Sequence, residues 1–344
     1  MEAFLTFSIE SWNKQLAKLI PEYDIYAPKK FEENIEYAPI TQPSEIDRII
    51  YNQPKPSTPL KTFFLPVKEN VVKFKDSGKK RIILGIPACD LHGLSLLDEI
   101  YMDEEYLDPI YSRHRLNTIL IGSDCFSFQE HCHCTSYGFN PWPEKNEDLI
   151  VSVIGNEVIL EVNSEKGKEF TEKWLKPENS TNLKSSIDQI KKQRETIVSD
   201  IRANNQSLPD YEQTGRLVNG SEEEIWNKYS DSCVSCGACS AICPTCSCFL
   251  FIERPEFEKV RSLDTCQYPG FERVAAGEDP LRQLSKRFRN RYMCKYVWKP
   301  EKFKSKACTG CGRCIEACIG EINKNELFIE LNQQEHLSYD HNSR

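Results

Sequence analysis

One cysteine spacing occurs twice in this chain, and it limits the possible folds more than any other feature of the sequence. Cys233, Cys236, Cys239 and Cys243 precede Pro244, and Cys308, Cys311, Cys314 and Cys318 repeat the C-x2-C-x2-C-x3-C pattern with Ile319 in place of the proline. Thiols at two-residue intervals let one tight loop wrap three corners of an iron–sulfur cubane, while the fourth, on the helix that leaves the loop, reaches the other cluster. The pattern therefore predicts two [4Fe-4S] clusters. Cys233, Cys236, Cys239 and Cys318 are expected to hold one, and Cys308, Cys311, Cys314 and Cys243 the other. Structural zinc is a poorer match, because its sites draw thiols in C-x2-C pairs and not as three plus one. Gly237 and Gly312 follow the second cysteine of each run, where backbone must pass close to inorganic sulfur without a Cβ. Ile319 leaves the ligands intact and alters only the backbone direction that proline would fix.

The chain holds 16 cysteines in 344 residues, far more than the two runs use. Disulfide scaffolds are small, and in a reducing compartment so many thiols point to metal. Between the runs stand Cys246, Cys248, Cys266 and Cys294, enough for a third cluster; buried free thiols of packing value are the alternative. Cys89, Cys125, Cys132 and Cys134 form another group of four, each following the end of an apparent strand. Adjacent strand ends in an α/β sheet bring their loops together, so these thiols are expected at one edge. Zinc competes there, since four thiolates suit it and His92, His131 and His133 stand nearby as spare ligands. One or two iron–sulfur clusters beyond the first pair are the expectation.

The rest of the chain reads as α+β. RIILGI (81–86) has strand length, LHGLSLLDEIY after it places Leu91, Leu94, Leu97 and Tyr101 on one helical face, and TILIG (118–122) is a second buried strand. IVSVIG and EVILEV around Asn156 read as a hairpin. The expected organisation is an α/β sheet domain over 1–164, a helical connector over 165–230, a two-cluster ferredoxin-like domain over 231–330 and a polar, frayed tail over 331–344. Leu183, Ile187, Ile190, Ile197 and Ile201 supply the connector's helical face.

A formal charge of -8 argues against a polyanion-binding protein. No run of 18 apolar residues or export signal is read, so the chain is expected to be soluble and cytoplasmic, with no membrane partner. One stretch departs from the acidic balance: residues 286–306 carry nine Lys or Arg and one acid, with Tyr292, Tyr296 and Trp298 interleaved. A solvated face, tuning of the neighbouring clusters or partner docking, and nucleic-acid contact all fit such a run; nucleic acid is not expected as a partner. Nucleotide-binding glycine motifs, a serine elbow and H-E-x-x-H are missing, so no catalytic residue is assigned.

Several segments together resemble a known family, the iron–sulfur beta subunits of cytoplasmic sulfhydrogenases and the related A subunits of anaerobic sulfite reductases. They are PACDLHGLSLLD (87–98), the C-x6-C-x-C of 125–134, SCVSCGACSAICPTCSC (232–248), FRNRYMCK (288–295) and CTGCGRC (308–314). FRNRYMCK is closer to the sulfhydrogenase branch. The resemblance implies an electron wire between a partner binding FAD and NAD(P)H and a catalytic partner of [NiFe] hydrogenase or sulfite reductase type, with no active site in this chain. A sulfur-reducing enzyme acting at an N-terminal cluster is the alternative.

Overall fold

The computed structural model describes residues 3–73, 78–178 and 182–342. Its strands are β1 (Ala3–Ser8), β2 (Tyr23–Phe31), β3 (Asn34–Ile40), β4 (Lys68–Asn70), β5 (Lys80–Ile86), β6 (Thr118–Ser123), β7 (Leu149–Ile154), β8 (Glu157–Val162), β9 (Phe249–Arg254) and β10 (Glu258–Leu263). Its longer helices are α1 (Ile9–Leu19), α2 (Ala88–Tyr101), α3 (Pro109–Leu116), α4 (Glu165–Trp174), α5 (Leu183–Asn204), α6 (Tyr211–Gly220) and α7 (Glu223–Ser230). The one-turn helix α8 (Ala238–Ala241), then α9 (Leu284–Met293), α10 (Lys299–Phe303), the one-turn α11 (Arg313–Glu316) and α12 (Lys324–Asn342) complete the series. The chain divides into two compact units, and both are interrupted: unit 1 is 1–64, 74–129 and 139–201, and unit 2 is 65–73, 130–138 and 202–344.

Unit 1 is built on a seven-stranded sheet of order β1-β8-β7-β6-β5-β2-β3. Strands β2, β5, β6 and β7 run parallel, with antiparallel β8 and β1 on one flank and β3 on the other. Every residue of TILIGS in β6 is buried, as a parallel strand covered on both faces requires. Successive side chains alternate between faces: Ile82, Leu84, Ile119, Ile121, Leu149 and Val151 join Trp12, Leu16 and Leu19 of α1 in one core. Ser8 begins that helix by accepting the Ser11 amide hydrogen at 3.3 Å, an N-cap bond. The expected α2 face is buried at Leu91, Leu94, Leu97 and Tyr101, and the expected hairpin is the β7–β8 pair.

Also buried on α2 is His92, 8% exposed, with neither ring nitrogen hydrogen-bonded and its ring 4.3 Å from that of Phe139. Burial, helped by the charge of Lys145, lowers its pKa from 6.5 to about 4. An imidazole that must stay neutral to remain folded contributes stability above its unfolded pKa, and that contribution fades as pH falls toward the folded value. At ~1.4 kcal/mol per pKa unit, roughly 3 kcal/mol is lost between pH 6.5 and 4. His92→Phe is expected to flatten the acid limb of the denaturant-stability profile between pH 7 and 5; an identical limb in the variant would remove His92 as its cause.

Unit 2 joins a helical group to a small sheet of order β4-β10-β9. In it α7 packs on α9, and α12 on α6. Trp226, Phe288, Tyr292 and Phe328 form its aromatic core through tilted and edge-on ring contacts. The segment read as one helical connector over 165–230 is shared out: α4 and most of α5 belong to unit 1, and α6 and α7 to unit 2. The tail read as frayed is helical to Asn342, and Leu327, Phe328 and Leu331 anchor the start of α12 in the core.

Candidate metal centre

The first cysteine run is a tight loop closed by α8, with Gly237 at φ 75° as its N-cap. Cys233, Cys236, Cys239 and Cys318 line one pocket, together with Cys314. Cys318 arrives there on the turn after α11, where the Ile322 amide hydrogen points to its sulfur at 3.4 Å. A Cβ on Gly320 would lie 2.1 Å from the Ser232 carbonyl oxygen, so this turn rests directly on the loop that begins the first run. Burial, with a contribution from the neighbouring sulfurs of Cys318 and Cys236, raises the Cys233 pKa.

The second run packs its loop against residues 131–134 of the same unit. The His133 amide donates to the Gly310 carbonyl at 2.8 Å. A Cβ on Gly310 would stand 2.5 Å from Cys134 Cα, and one on Gly312 would stand 2.5 Å from the His131 carbonyl oxygen. Burial, followed by the Cys132 and Cys311 sulfurs, pushes the Cys134 thiol up to about 12. Cys132 and Cys134 therefore belong beside the second run. Cys89, in the first turn of α2, and Cys125, just past β6, belong to unit 1, where each follows one of two adjacent parallel strands. The sequence spacing grouped these four cysteines; the chain passes from unit 1 to unit 2 between Gln129 and Glu130.

Among the remaining four, Cys248 and Cys266 are in side-chain contact, with the Cys248 hydrogen on the Cys266 sulfur lowering the Cys266 pKa. Cys246 hydrogen-bonds the Cys243 side chain, and this, with burial, raises its pKa. Cys294 starts the five-residue π turn Cys294–Trp298 that follows α9. Such π turns widen a helix and concentrate at functional sites.

Sequence reading allowed residues 286–306 to tune the clusters but singled out no cation there, and it did not mark Lys324. Lys295, 3% exposed, places Nζ 2.9 Å from Cys243 Sγ, 2.7 Å from Thr245 Oγ1 and 3.2 Å from the Ala307 carbonyl oxygen. Burial acts to lower its pKa, but the Cys243 and Cys246 sulfurs outweigh it and hold it well above the ordinary value. Arg291 is buried one turn earlier, and its Nη2 donates to the Cys239 carbonyl at 3.0 Å. Lys324 is buried with Nζ 2.9 Å from His133 Nε2 and 5.5 Å from the centre of the Tyr137 ring. The usable signal was the four-residue spacing of Arg291 and Lys295 around Cys294, which puts both on one helical face.

The donor chemistry fits iron–sulfur clusters: soft thiols in both runs, five of them lining one pocket, and a buried cation against the Cys243 sulfur. Residues 232–322 match the family model of a 4Fe-4S dicluster domain, so this segment is an iron–sulfur-binding domain. Over 320 residues the chain is 27% identical to sulfhydrogenase 2 subunit beta of Pyrococcus furiosus, covering 90% of this chain and 92% of that protein. The resemblance read from five sequence segments thus extends along nearly the full length. No helix among the described residues is long and apolar enough to cross a membrane.

Proposed function

We propose that this chain is the electron-relay subunit of a soluble oxidoreductase complex of [NiFe] sulfhydrogenase type. It would pass electrons between a subunit that binds FAD and NAD(P)H and a catalytic subunit. The observation that carries this reading is the pocket in which Cys318, from the second run, meets Cys233, Cys236 and Cys239 of the first. Reciprocal exchange of the fourth thiol is the arrangement expected of two neighbouring cubanes. Cys308, Cys311, Cys314 and Cys243 hold the second; Lys295, whose charge interacts with both Cys243 and Cys308, supports that grouping.

Bound iron–sulfur groups supply one-electron reduction and oxidation without bond making at substrate. The chain's own residues fix the ligand loops, exclude water and place charge. Cys246, Cys248 and Cys266 with Cys294 are proposed as a third cluster site, supported by the Cys248–Cys266 contact. Cys89, Cys125, Cys132 and Cys134 are proposed as further metal ligands, for iron–sulfur or zinc. The similarity to a sulfhydrogenase beta subunit favours this relay over a sulfite reductase component or a self-sufficient sulfur-reducing enzyme.

Iron and acid-labile sulfide, measured after anaerobic purification, are expected at three to four cubanes, about 12 to 16 of each per chain. Stoichiometric zinc without sulfide would defeat the proposal.

A further inference from the structure

Arg291 and Lys295 are 4% and 3% exposed, deeper than a solvated basic face allows. A buried cation needs a compensating charge, and a carboxylate is the usual one. Among the described residues no Asp or Glu forms an ion pair with either. Arg287, another buried cation of the same stretch, is satisfied differently, by the carbonyls of Gln267, Leu281 and Arg282. Lys295 spends its three hydrogens on Cys243, Thr245 and Ala307. The Nε of Arg291 has no protein acceptor.

What surrounds both is sulfur, from the two runs and from Cys246 between them. The charge of Arg291 interacts first with Cys239, Cys314 and Cys246, and that of Lys295 with Cys243, Cys246 and Cys308. A cubane with four thiolates is net negative and becomes more so on reduction. A fixed cation beside it therefore stabilises the reduced form more than the oxidised one, and strongly in a dry interior.

We propose that Arg291 and Lys295 are the built-in counter-charges of the two dicluster-domain clusters and set their reduction potentials upward. This rests on the reading that both cysteine runs hold clusters. Neither residue ligates iron. They are positioning residues whose effect is electrostatic, and placing them one turn apart lets a single helix serve both runs. The remaining exposed cations of 286–306 are not needed for it.

The test is a redox titration followed by electron paramagnetic resonance on the full-length chain, purified anaerobically, for Lys295→Met, Lys295→Arg, Arg291→Met and Arg291→Lys. The methionine variants are expected to keep iron and sulfide and to shift midpoints to more negative potential. Lys295→Met should act on the signal that Cys308→Ala abolishes, and Arg291→Met on both signals. The charge-keeping variants should stay near wild type. Where a methionine variant loses its iron, the proposal requires that its charge-keeping counterpart retain it. Unmoved midpoints in iron-replete methionine variants would overturn the proposal, and so would iron loss as complete in Lys295→Arg as in Lys295→Met. Wild-type protein without iron and sulfide would instead remove the cluster reading beneath it.

Discussion

Cys318→Ala is expected to abolish the same paramagnetic signal as Cys233→Ala, and a different one from Cys308→Ala, with a loss of roughly four iron atoms per chain in each case. If each run held a cluster by itself, Cys318→Ala would mimic Cys308→Ala. The turn that carries Cys318 lies on the Ser232 carbonyl at the start of the first run, and Cys318 lines a pocket with Cys233, Cys236, Cys239 and Cys314. Cys243→Ala is expected to mimic Cys308→Ala by the same exchange. Iron analysis paired with low-temperature spectra of the four variants decides the matter. Matching spectra within a run, and not across runs, would overturn the assignment.

The second large effect is expected from a single methyl group. Gly310→Ala puts a Cβ 2.5 Å from Cys134 Cα and 2.6 Å from its nitrogen, at a backbone φ of 68°. Neither neighbour is a flexible side chain that yields. Left-handed backbone costs an alanine roughly 1–2 kcal/mol, and overpacking against fixed atoms adds about 1–3 kcal/mol. A total destabilisation of ~2–5 kcal/mol follows, with reduced iron at the second run because the loop cannot close on residues 131–134. Gly155→Ala is the internal control. Its φ of 60° imposes the strain alone, since nothing lies within 4 Å of the added carbon. Chemical denaturation of both variants gives the comparison; equal costs would show that the close approach at Gly310 is not what matters.

What the sequence disclosed was what it encodes locally. The cysteine runs are contiguous, and their spacing carries the chemistry of their ligands. Strands β5 and β6, helix α2 and the β7–β8 hairpin each show their period within a few residues. Strands β2 and β3 went unread, because YDIYAPKKF and NIEYAPI mix charges and prolines into their alternation. The parallel neighbour of β2 is β5, whose paired residues stand 57 positions further on, and no local pattern announces such a partner. The helical face of Leu183, Ile190 and Ile197 predicted a helix correctly, yet periodicity does not say which unit covers it. Cys125 and Cys132 look like members of one motif because they stand seven residues apart, although they fall in different units. Arg291 and Lys295 were visible as basic residues, but only packing distinguishes a cation turned toward sulfur from one in water.

The interrupted path of the chain has a consequence for how the dicluster half can exist at all. Residues 202–344 contain both cysteine runs but not the whole of their unit. Strand β4, which pairs with β10, comes from residues 68–70, and the wall behind Gly310 and Gly312 comes from residues 131–134. Glu69 supplies the carboxylate for the buried guanidinium of Arg261, 2.6 Å away. The cluster-bearing half is therefore not a cassette that recombination could lift out whole by its cysteine motifs. Two short inserts, encoded far upstream, must travel with it, which ties the inheritance of the ferredoxin-type loops to the sheet sequence into which those inserts are spliced.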